Sequence, residues 1–177
     1  MLIRIVRGDI TTQDVDAVVN AANTAMRGGG GVDGAIHRAG GPAVLADCID
    51  RFPHGLETGQ AGWTTAGNLL AQWVIHVVGP DYSRGQTDRA LLTSCYANAL
   101  KTADELGATS VAFPLVSAGI YGWPLADAAT AAVETLRQTA TQVTQARLMA
   151  YGEAAYDALT SALQTDPRPG SDELGEG

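Results

Sequence analysis

The stretch from Asn20 to Arg38 holds the densest group of residues that could bind or act on a ligand. Four consecutive glycines, Gly28 to Gly31, allow the backbone to approach a ligand closely and to turn its N–H groups toward an anion. The helix predicted from Gly31 directs the positive end of its dipole toward the same place. Because backbone donors need no lysine or arginine, this pattern indicates a diphosphate-binding loop even in an acidic protein.

Two ionisable side chains follow the glycines on one face of that helix. Asp33 falls in its first turn, where a carboxylate either acts as a base or water-orienting group, or only complements the helix dipole. His37 lies one turn later, where a single histidine is more typical of a structural role. His54 and His76 have no partner at metal-ligating spacing, so we assign no metal site.

The glycines also match the pattern Gly29-x-Gly31-x-x-Gly34 of dinucleotide-binding loops. In a Rossmann unit such glycines follow the first strand almost at once, whereas here they come after the second predicted strand, with the segment Ala22 to Arg27 between. An NAD-dependent dehydrogenase is therefore a minor alternative. We expect no cofactor.

Two further loops follow predicted strands. In Gly8-Asp9-Ile10, the carboxylate either accepts a hydrogen bond from an exocyclic amine such as that of adenine, or caps a turn. The loop Pro114 to Pro124 offers the Ser117 hydroxyl and backbone donors as a second phosphate-binding arm; Tyr121 and Trp123 either contact the ligand or pack beneath the loop. Tyr151 ends the last strand, where its ring either stacks on a base or joins the core.

Short apolar runs alternate with helical patterns, which is typical of an α/β domain. We predict strands at Leu2 to Arg7, Ala17 to Ala21, Trp63 to Thr65, Trp73 to Val78, Ser110 to Phe113 and Ala146 to Ala150. We predict helices at Gly31 to Gly40, Pro42 to Arg51, Asp88 to Leu106, Pro124 to Ala140 and Glu153 to Gln164. In open α/β sheets ligands bind at the carboxyl ends of the strands, where the loops described above begin.

The composition limits the remaining choices. A chain of 177 residues with 46% hydrophobic residues can bury one core, and we expect one domain over residues 1–164, followed by an acidic, Pro- and Gly-rich disordered tail over residues 165–177. A net charge of -8 disfavours nucleic acid and anionic membranes as partners.

Cys48 and Cys95 are expected to be inert buried thiols. Two cysteines are too few for a disulfide framework, and the sequence has no signal-peptide pattern and no membrane span, so we expect a cytoplasmic protein. We also expect it to be a monomer. The abundant Ala and Gly and the single Lys101 suggest a bacterial source.

Several motifs in order resemble the macrodomain family, and specifically its MacroD-type branch, across Leu2 to Gln164. They are Gly8-Asp9-Ile10, Val18 to Asn23, Gly28 to Arg38, Val74 to Pro80 and Ser117 to Pro124. The resemblance implies a three-layer α/β/α fold with a central mixed sheet that binds ADP-ribose in a cleft at one sheet edge.

The resemblance also implies roles for individual residues. Asp9 would bind the adenine amine, Ile10 the ring through its backbone, and Tyr151 would stack on adenine. Asn23 would contact the distal ribose, and Asp33 would be the catalytic residue. The remaining substrate-binding set is Asn20, Gly30, Gly31, Val32, Ser117, Ala118, Gly119, Ile120, Tyr121 and Gly122.

MacroD-type proteins remove mono-ADP-ribose from acidic side chains of proteins and deacetylate O-acetyl-ADP-ribose, and both reactions are ester cleavages by water. The expected partners are therefore ADP-ribose or O-acetyl-ADP-ribose and mono-ADP-ribosylated proteins. Zinc-dependent and lysine-dependent branches are disfavoured, because their Cys and His ligands or loop lysine are missing here. A non-catalytic ADP-ribose reader and a hydrolase of ADP-ribosylated nucleic acid remain the alternatives.

This chain departs from the branch at three positions. Ala118 stands where a threonine is common, Asn68 where an aromatic residue often follows Gly67, and Gly152 where an acid often follows the stacking aromatic residue. The missing threonine hydroxyl removes one phosphate contact and leaves the backbone donors in place.

Overall fold

The computed structural model describes residues 1–165. It contains six strands and five α-helices in these residues. The strands are β1 (Leu2–Arg7), β2 (Ala17–Ala22), β3 (Ala61–Thr65), β4 (Trp73–Val78), β5 (Ser110–Phe113) and β6 (Gln145–Ala150). The helices are α1 (Gly31–Gly40), α2 (Pro42–Arg51), α3 (Arg89–Leu106), α4 (Leu125–Gln138) and α5 (Glu153–Gln164). Every predicted strand and helix is present.

The differences from the predicted boundaries are confined to element ends. Strand β3 begins at Ala61 and not at Trp63, because Ala61 and Gly62 pair with Val77 and His76 of β4. Helix α4 begins after Pro124, which is its N-cap residue, and ends at Gln138. Pairing partners and cap geometry decide such boundaries, and neither is visible in one sequence.

The six strands form one sheet in the order β1-β6-β5-β2-β4-β3. Strands β1, β6, β5, β2 and β4 run parallel, and β3 pairs antiparallel with β4 at the edge. The sheet is therefore mixed, as expected. Because five neighbouring strands are parallel, the loops that leave their carboxyl ends lie along one edge of the sheet.

Helices cover both faces of the sheet. The larger core packs strand residues such as Ile75, Phe113 and Leu148 against buried residues of α3, α4 and α5. On the opposite face, Val18 and Val74 pack with Ile36 of α1. The three-layer α/β/α architecture is thereby confirmed.

The sheet and its helices run through residue 164. Thr165 is the C-cap residue of α5. The rest of the tail that we predicted to be disordered, residues 166–177, lies outside the described residues. None of the helices within residues 1–165 combines the length and apolarity needed to cross a membrane.

Candidate functional site

The strand order brings the predicted ligand loops together. Asp9 follows β1, Tyr151 follows β6, the Ser117 loop follows β5, and the glycine loop follows β2. These four strands are consecutive neighbours in the sheet, so the loops form a continuous row along its carboxyl edge. The glycine loop and the Ser117 loop are adjacent, because β2 pairs directly with β5.

Arg27 anchors the start of the glycine loop to the end of α2. Its guanidinium donates to the carbonyl oxygens of Met26 at 3.1 Å and of Phe52 at 3.0 Å. The N–H of Leu56 donates to Thr24 O at 3.0 Å and closes the same segment. The backbone that carries Asn23 is therefore held on both sides.

The first turn of α1 offers free backbone donors beside this loop. Its N-cap residue is Gly30, which has no side chain to accept from the N–H groups of that turn. Gly31 has a φ of 59°, a conformation that favours glycine. The amino end of α1, from Gly30 to Val32, therefore has no side-chain cap, and the helix dipole favours an anion at such a position.

Asp33 is 5% exposed and projects from this first turn. Its Oδ1 accepts a hydrogen bond from Asn20 Nδ2 at 2.8 Å and lies 3.4 Å from His37 Nε2. Its Oδ2 lies on the glycine-loop side, because a Cβ placed on Gly29 would be 3.1 Å from this oxygen. The two carboxylate oxygens therefore face different surroundings.

Asn23 faces Asp33 across Gly29. The same Cβ position on Gly29 is 3.3 Å from Asn23 Nδ2, which donates to Gly28 O at 3.1 Å. Asn23 Oδ1 is buried and has no hydrogen-bond partner within residues 1–165. The structure thus brings the two predicted catalytic residues together and leaves one acceptor of Asn23 available.

A fully buried polar chain lies behind Asp33. Asn20 Nδ2 contacts His76 Nδ1 at 3.0 Å, and His76 Nε2 contacts Thr64 Oγ1 at 2.8 Å. Burial, with the nearby His37 as the next cause, lowers the pKa of His76 to about 3, so the ring is neutral at physiological pH. Sequence reasoning found no partner for His76; its register opposite Asn20 in β2 could have been found only from the strand pairing.

The third loop turns sharply at Ser117, which has a φ of 65° and accepts a hydrogen bond on its carbonyl oxygen from the N–H of Trp123 at 2.9 Å. Ser117 Oγ is buried and has no partner among the described residues. Trp123 is buried beneath the loop, where Tyr82 meets its ring edge-on.

At the tip of this loop, Ile120 is 82% exposed. The N–H groups of Ala118 and Gly122 donate within the loop, to Leu115 O and Gly119 O. Those of Gly119, Ile120 and Tyr121 have no acceptor within residues 1–165 and are available to a ligand. Tyr121 is half-buried, and burial, with the charge of Asp81 as the next cause, raises the pKa of its phenol.

Gly79 permits the third loop to approach the sheet. A Cβ at this position would lie 2.3 Å from Ser117 Oγ and 2.6 Å from a Val116 methyl carbon. Sequence analysis included Gly79 in a family motif and assigned it no role. A glycine directly after a buried strand was the available signal.

Asp9 performs the capping role that the sequence left open. Its Oδ1 accepts from the N–H of Thr11 at 2.8 Å and from the Thr11 hydroxyl at 2.7 Å, at the start of a 3₁₀ turn, Ile10–Thr12. Ile10 is buried beneath that turn. Tyr151 is 95% exposed, which excludes a core role for its ring.

Both cysteines are buried, as expected. Burial raises the pKa of the Cys48 thiol to about 11 and that of Cys95 to about 12, so neither thiol is activated. In the part of the chain that the structure describes, no group of three or more His, Cys, Asp or Glu side chains could hold a metal ion.

Comparisons with known proteins agree with this fold. The model of the Macro domain family matches residues 19–132. A Macro domain-containing protein of Streptomyces coelicolor is 54% identical over 165 residues, covering 91% of this chain and 98% of the relative. O-acetyl-ADP-ribose deacetylase 1 of Pantoea vagans is 49% identical over 138 residues, covering 76% of this chain and 81% of the relative.

A solved structure shows the same architecture. A variant of the Oceanobacillus iheyensis macrodomain, solved with ADPR, superposes with a TM-score of 0.85. It is 36% identical to this chain, and the match covers 90% of each chain.

Proposed function

Because this chain belongs to the Macro domain family, we propose that it binds ADP-ribose along the carboxyl edge of its sheet and hydrolyses esters of ADP-ribose, as MacroD-type proteins do. The proposed substrates are proteins mono-ADP-ribosylated on acidic side chains and O-acetyl-ADP-ribose. One observation carries the catalytic part: Asp33 Oδ2 and Asn23 Nδ2 converge beside Gly29, next to the anion-binding end of α1.

Backbone donors support the diphosphate part of this proposal. The open first turn of α1 and the free N–H groups of the Ser117 loop belong to the segments that follow two adjacent strands, β2 and β5. Two such arms can enclose a diphosphate without a basic side chain. This agrees with the acidic composition of the chain, which has 11 basic and 19 acidic residues.

Unpartnered buried atoms support a polar ligand. Asn20 Oδ1, Asn23 Oδ1 and Ser117 Oγ are buried without a hydrogen-bond partner among the described residues. Native proteins satisfy most buried polar groups, so unpartnered ones beside the ligand loops indicate groups whose hydrogen bonds a ligand or water completes. Asn23 Oδ1 is placed to accept from a ribose hydroxyl, because its Nδ2 is held by Gly28 O.

The adenine end would lie over β1 and β6. Asp9 uses Oδ1 as a cap, which leaves Oδ2 to accept from the exocyclic amine. The backbone of Ile10 would serve the ring, and the exposed ring of Tyr151 offers a flat apolar surface for stacking.

In the proposed reaction, a water molecule attacks the ester at the distal ribose and the C–O ester bond breaks. The products are free ADP-ribose and a carboxylic acid, which is the modified side chain or acetate. Either Asp33 Oδ2 or a substrate phosphate oxygen orients the water and takes its proton, and this proton is then given to the leaving ribose oxygen; Asn23 and the two loops align the ribose. The relative named O-acetyl-ADP-ribose deacetylase 1 supports this reaction class.

The test is release of free ADP-ribose from a protein mono-ADP-ribosylated on glutamate, together with ADP-ribose binding by calorimetry. The comparison uses wild type, Asp33→Ala and a control, Asp14→Ala, whose side chain is exposed at the amino end of β2. We expect turnover by wild type and the control, and loss of turnover in Asp33→Ala with ADP-ribose binding retained.

Other outcomes of this test would support the alternative functions. Saturable binding without release from any substrate would make the protein a reader. Release only from ADP-ribosylated nucleic acid ends would replace the protein substrate. Absence of both binding and release would overturn the proposal.

A further inference from the structure

The hydrogen-bond directions in the buried chain behind Asp33 can be deduced from chemistry. The single hydroxyl proton of Thr64 is donated to Thr65 O at 3.0 Å. At 2.8 Å from His76 Nε2, Thr64 Oγ1 must therefore accept, and Nε2 must carry the ring proton. Since the ring is neutral, Nδ1 is bare and accepts from Asn20 Nδ2 at 3.0 Å.

This chain determines the orientation of the Asn20 amide. One proton of Nδ2 goes to His76 Nδ1 and the other to Asp33 Oδ1 at 2.8 Å. A flipped amide would place its oxygen against both a carboxylate oxygen and the lone pair of Nδ1, and both contacts are repulsive. The amide therefore points its nitrogen toward Asp33.

The orientation of Asn20 in turn distinguishes the two oxygens of Asp33. Oδ1 is engaged by Asn20 and is near His37 Nε2, at 3.4 Å. Oδ2 is left on the side of Gly29 and Asn23. We propose that His76 is a positioning residue for the reaction: its Nε2–H tautomer, held by Thr64, orients Asn20 so that Asp33 presents Oδ2 to the water and substrate.

This inference rests on the proposed function, which assigns Asp33 to the hydrolysis of ADP-ribose esters. His76 touches neither Asn23 nor the glycine loop through any hydrogen bond among the described residues, so it acts through Asn20. A purely structural histidine would fill space between β4 and α2 and would be replaced best by a side chain of similar volume.

Two substitutions separate these roles. His76→Asn places an amide oxygen where Nδ1 lies and keeps the acceptor for Asn20. His76→Gln resembles histidine more closely in length and places its amide near Thr64, but it removes the acceptor for Asn20. Both proteins are compared with wild type in turnover of a glutamate-linked ADP-ribose ester and in ADP-ribose binding.

For His76→Gln we expect kcat to fall about 10- to 100-fold while KM and the Kd for ADP-ribose stay within about threefold, because misorientation of a catalytic group affects the chemical step. His76→Asn is expected to keep kcat within about threefold of wild type. Equal rates for the two variants, or a faster Gln variant, would overturn the positioning role.

A measurement on the unmutated full chain keeps the inference testable if either variant fails to fold. Nitrogen NMR of the histidine rings is expected to show His76 protonated on Nε2 and bare on Nδ1, with the Asn20 amide protons shifted by hydrogen bonding. A proton on Nδ1 would overturn the inference.

The two proposals fail in different ways. Absence of turnover in wild type, with ADP-ribose still bound, would refute the hydrolase and with it the role of His76. Turnover by wild type that is lost in Asp33→Ala, but kept in His76→Gln, would refute only the role of His76.

Discussion

A Cβ atom on Gly79 would lie 2.3 Å from Oγ of Ser117, so these residues can approach each other only because position 79 has no side chain. The contact joins the end of β4 to the loop that leaves β5, across β2. It therefore sets how closely the Ser117 arm approaches the glycine loop.

Gly79→Ala is expected to push the Ser117 arm away from the sheet. We expect the free energy of unfolding to fall by about 1–3 kcal/mol, as for other overpacked sites, and ADP-ribose to bind more weakly. Urea unfolding and calorimetry measure the two effects. Gly119→Ala serves as the stability control, since a Cβ there meets nothing within 4 Å. Equal stability of the two variants would contradict the steric argument.

Arg27→Met is expected to loosen the glycine loop while keeping the apolar stem of the side chain. The lost donors serve carbonyl oxygens of the loop and of the segment after α2, including Met26 and Phe52. We expect a loss of about 1–3 kcal/mol in the free energy of unfolding and weaker ADP-ribose binding. Arg4→Met, at an exposed position of β1, is the matched control, and similar losses in both would refute the anchoring role.

Asp9→Ser is expected to separate the capping role of Asp9 from its proposed adenine contact. Serine keeps one oxygen for the N–H of Thr11, so the thermal midpoint should stay close to that of wild type. Without Oδ2, the Kd for ADP-ribose should rise about tenfold, which corresponds to one charged hydrogen bond. The preference for ADP-ribose over its inosine analogue, which lacks the amine, should disappear. A variant that keeps this preference would show that Asp9 is only a cap.

Asp16→Asn is expected to remove a pH-dependent contribution to stability that comes from hydrogen bonds between the residue before β2 and the start of β5. The N–H of Thr109 donates to Asp16 Oδ2 at 2.8 Å, and this bond, with that from Ser110, lowers the pKa of Asp16 below its ordinary 3.8. Because the pKa of Asp16 is lower in the folded state than in the unfolded state, its ionised carboxylate stabilises the fold fully above about pH 4. The stabilisation is lost as the pH falls through the folded-state pKa.

The asparagine variant should therefore be less stable than wild type at pH 7, and this difference should shrink at pH 3 or below. Urea unfolding at the two pH values measures it. Asp14→Asn, at an exposed position two residues earlier, is the control for loss of a carboxylate near β2. A difference that stays constant with pH would contradict the assignment to Asp16.

Local pattern in the sequence was enough to predict the elements of this fold. Strand β4 and helix α1 were predicted with their observed ends, because apolar runs and helical spacing depend on neighbouring residues. The same local signals located the glycine loop and the loops of Asp9 and Ser117. These loops could be assigned to one sheet edge once the strands were taken as parallel.

Residue type alone left the roles of several side chains open. Asp9 was predicted either to cap a turn or to bind a ligand, and it does cap. Tyr151 was predicted either to join the core or to stack on a base, and its exposure excludes the core. The cap joins residues that are only two apart in the chain, but residue type alone shows neither the backbone turn that brings them together nor the lack of tertiary packing around Tyr151.

The sequence by itself determined the elements, their order and the chemistry that each loop carries, because these depend on residues close together in the chain. Only the tertiary structure decided that Asn20 of β2 faces His76 of β4 and thereby joins Thr64 to Asp33. Strand register sets that pairing, and register is decided by packing of the whole sheet between its helices. For the same reason, Gly79 acquires its role only where Ser117 returns to meet it.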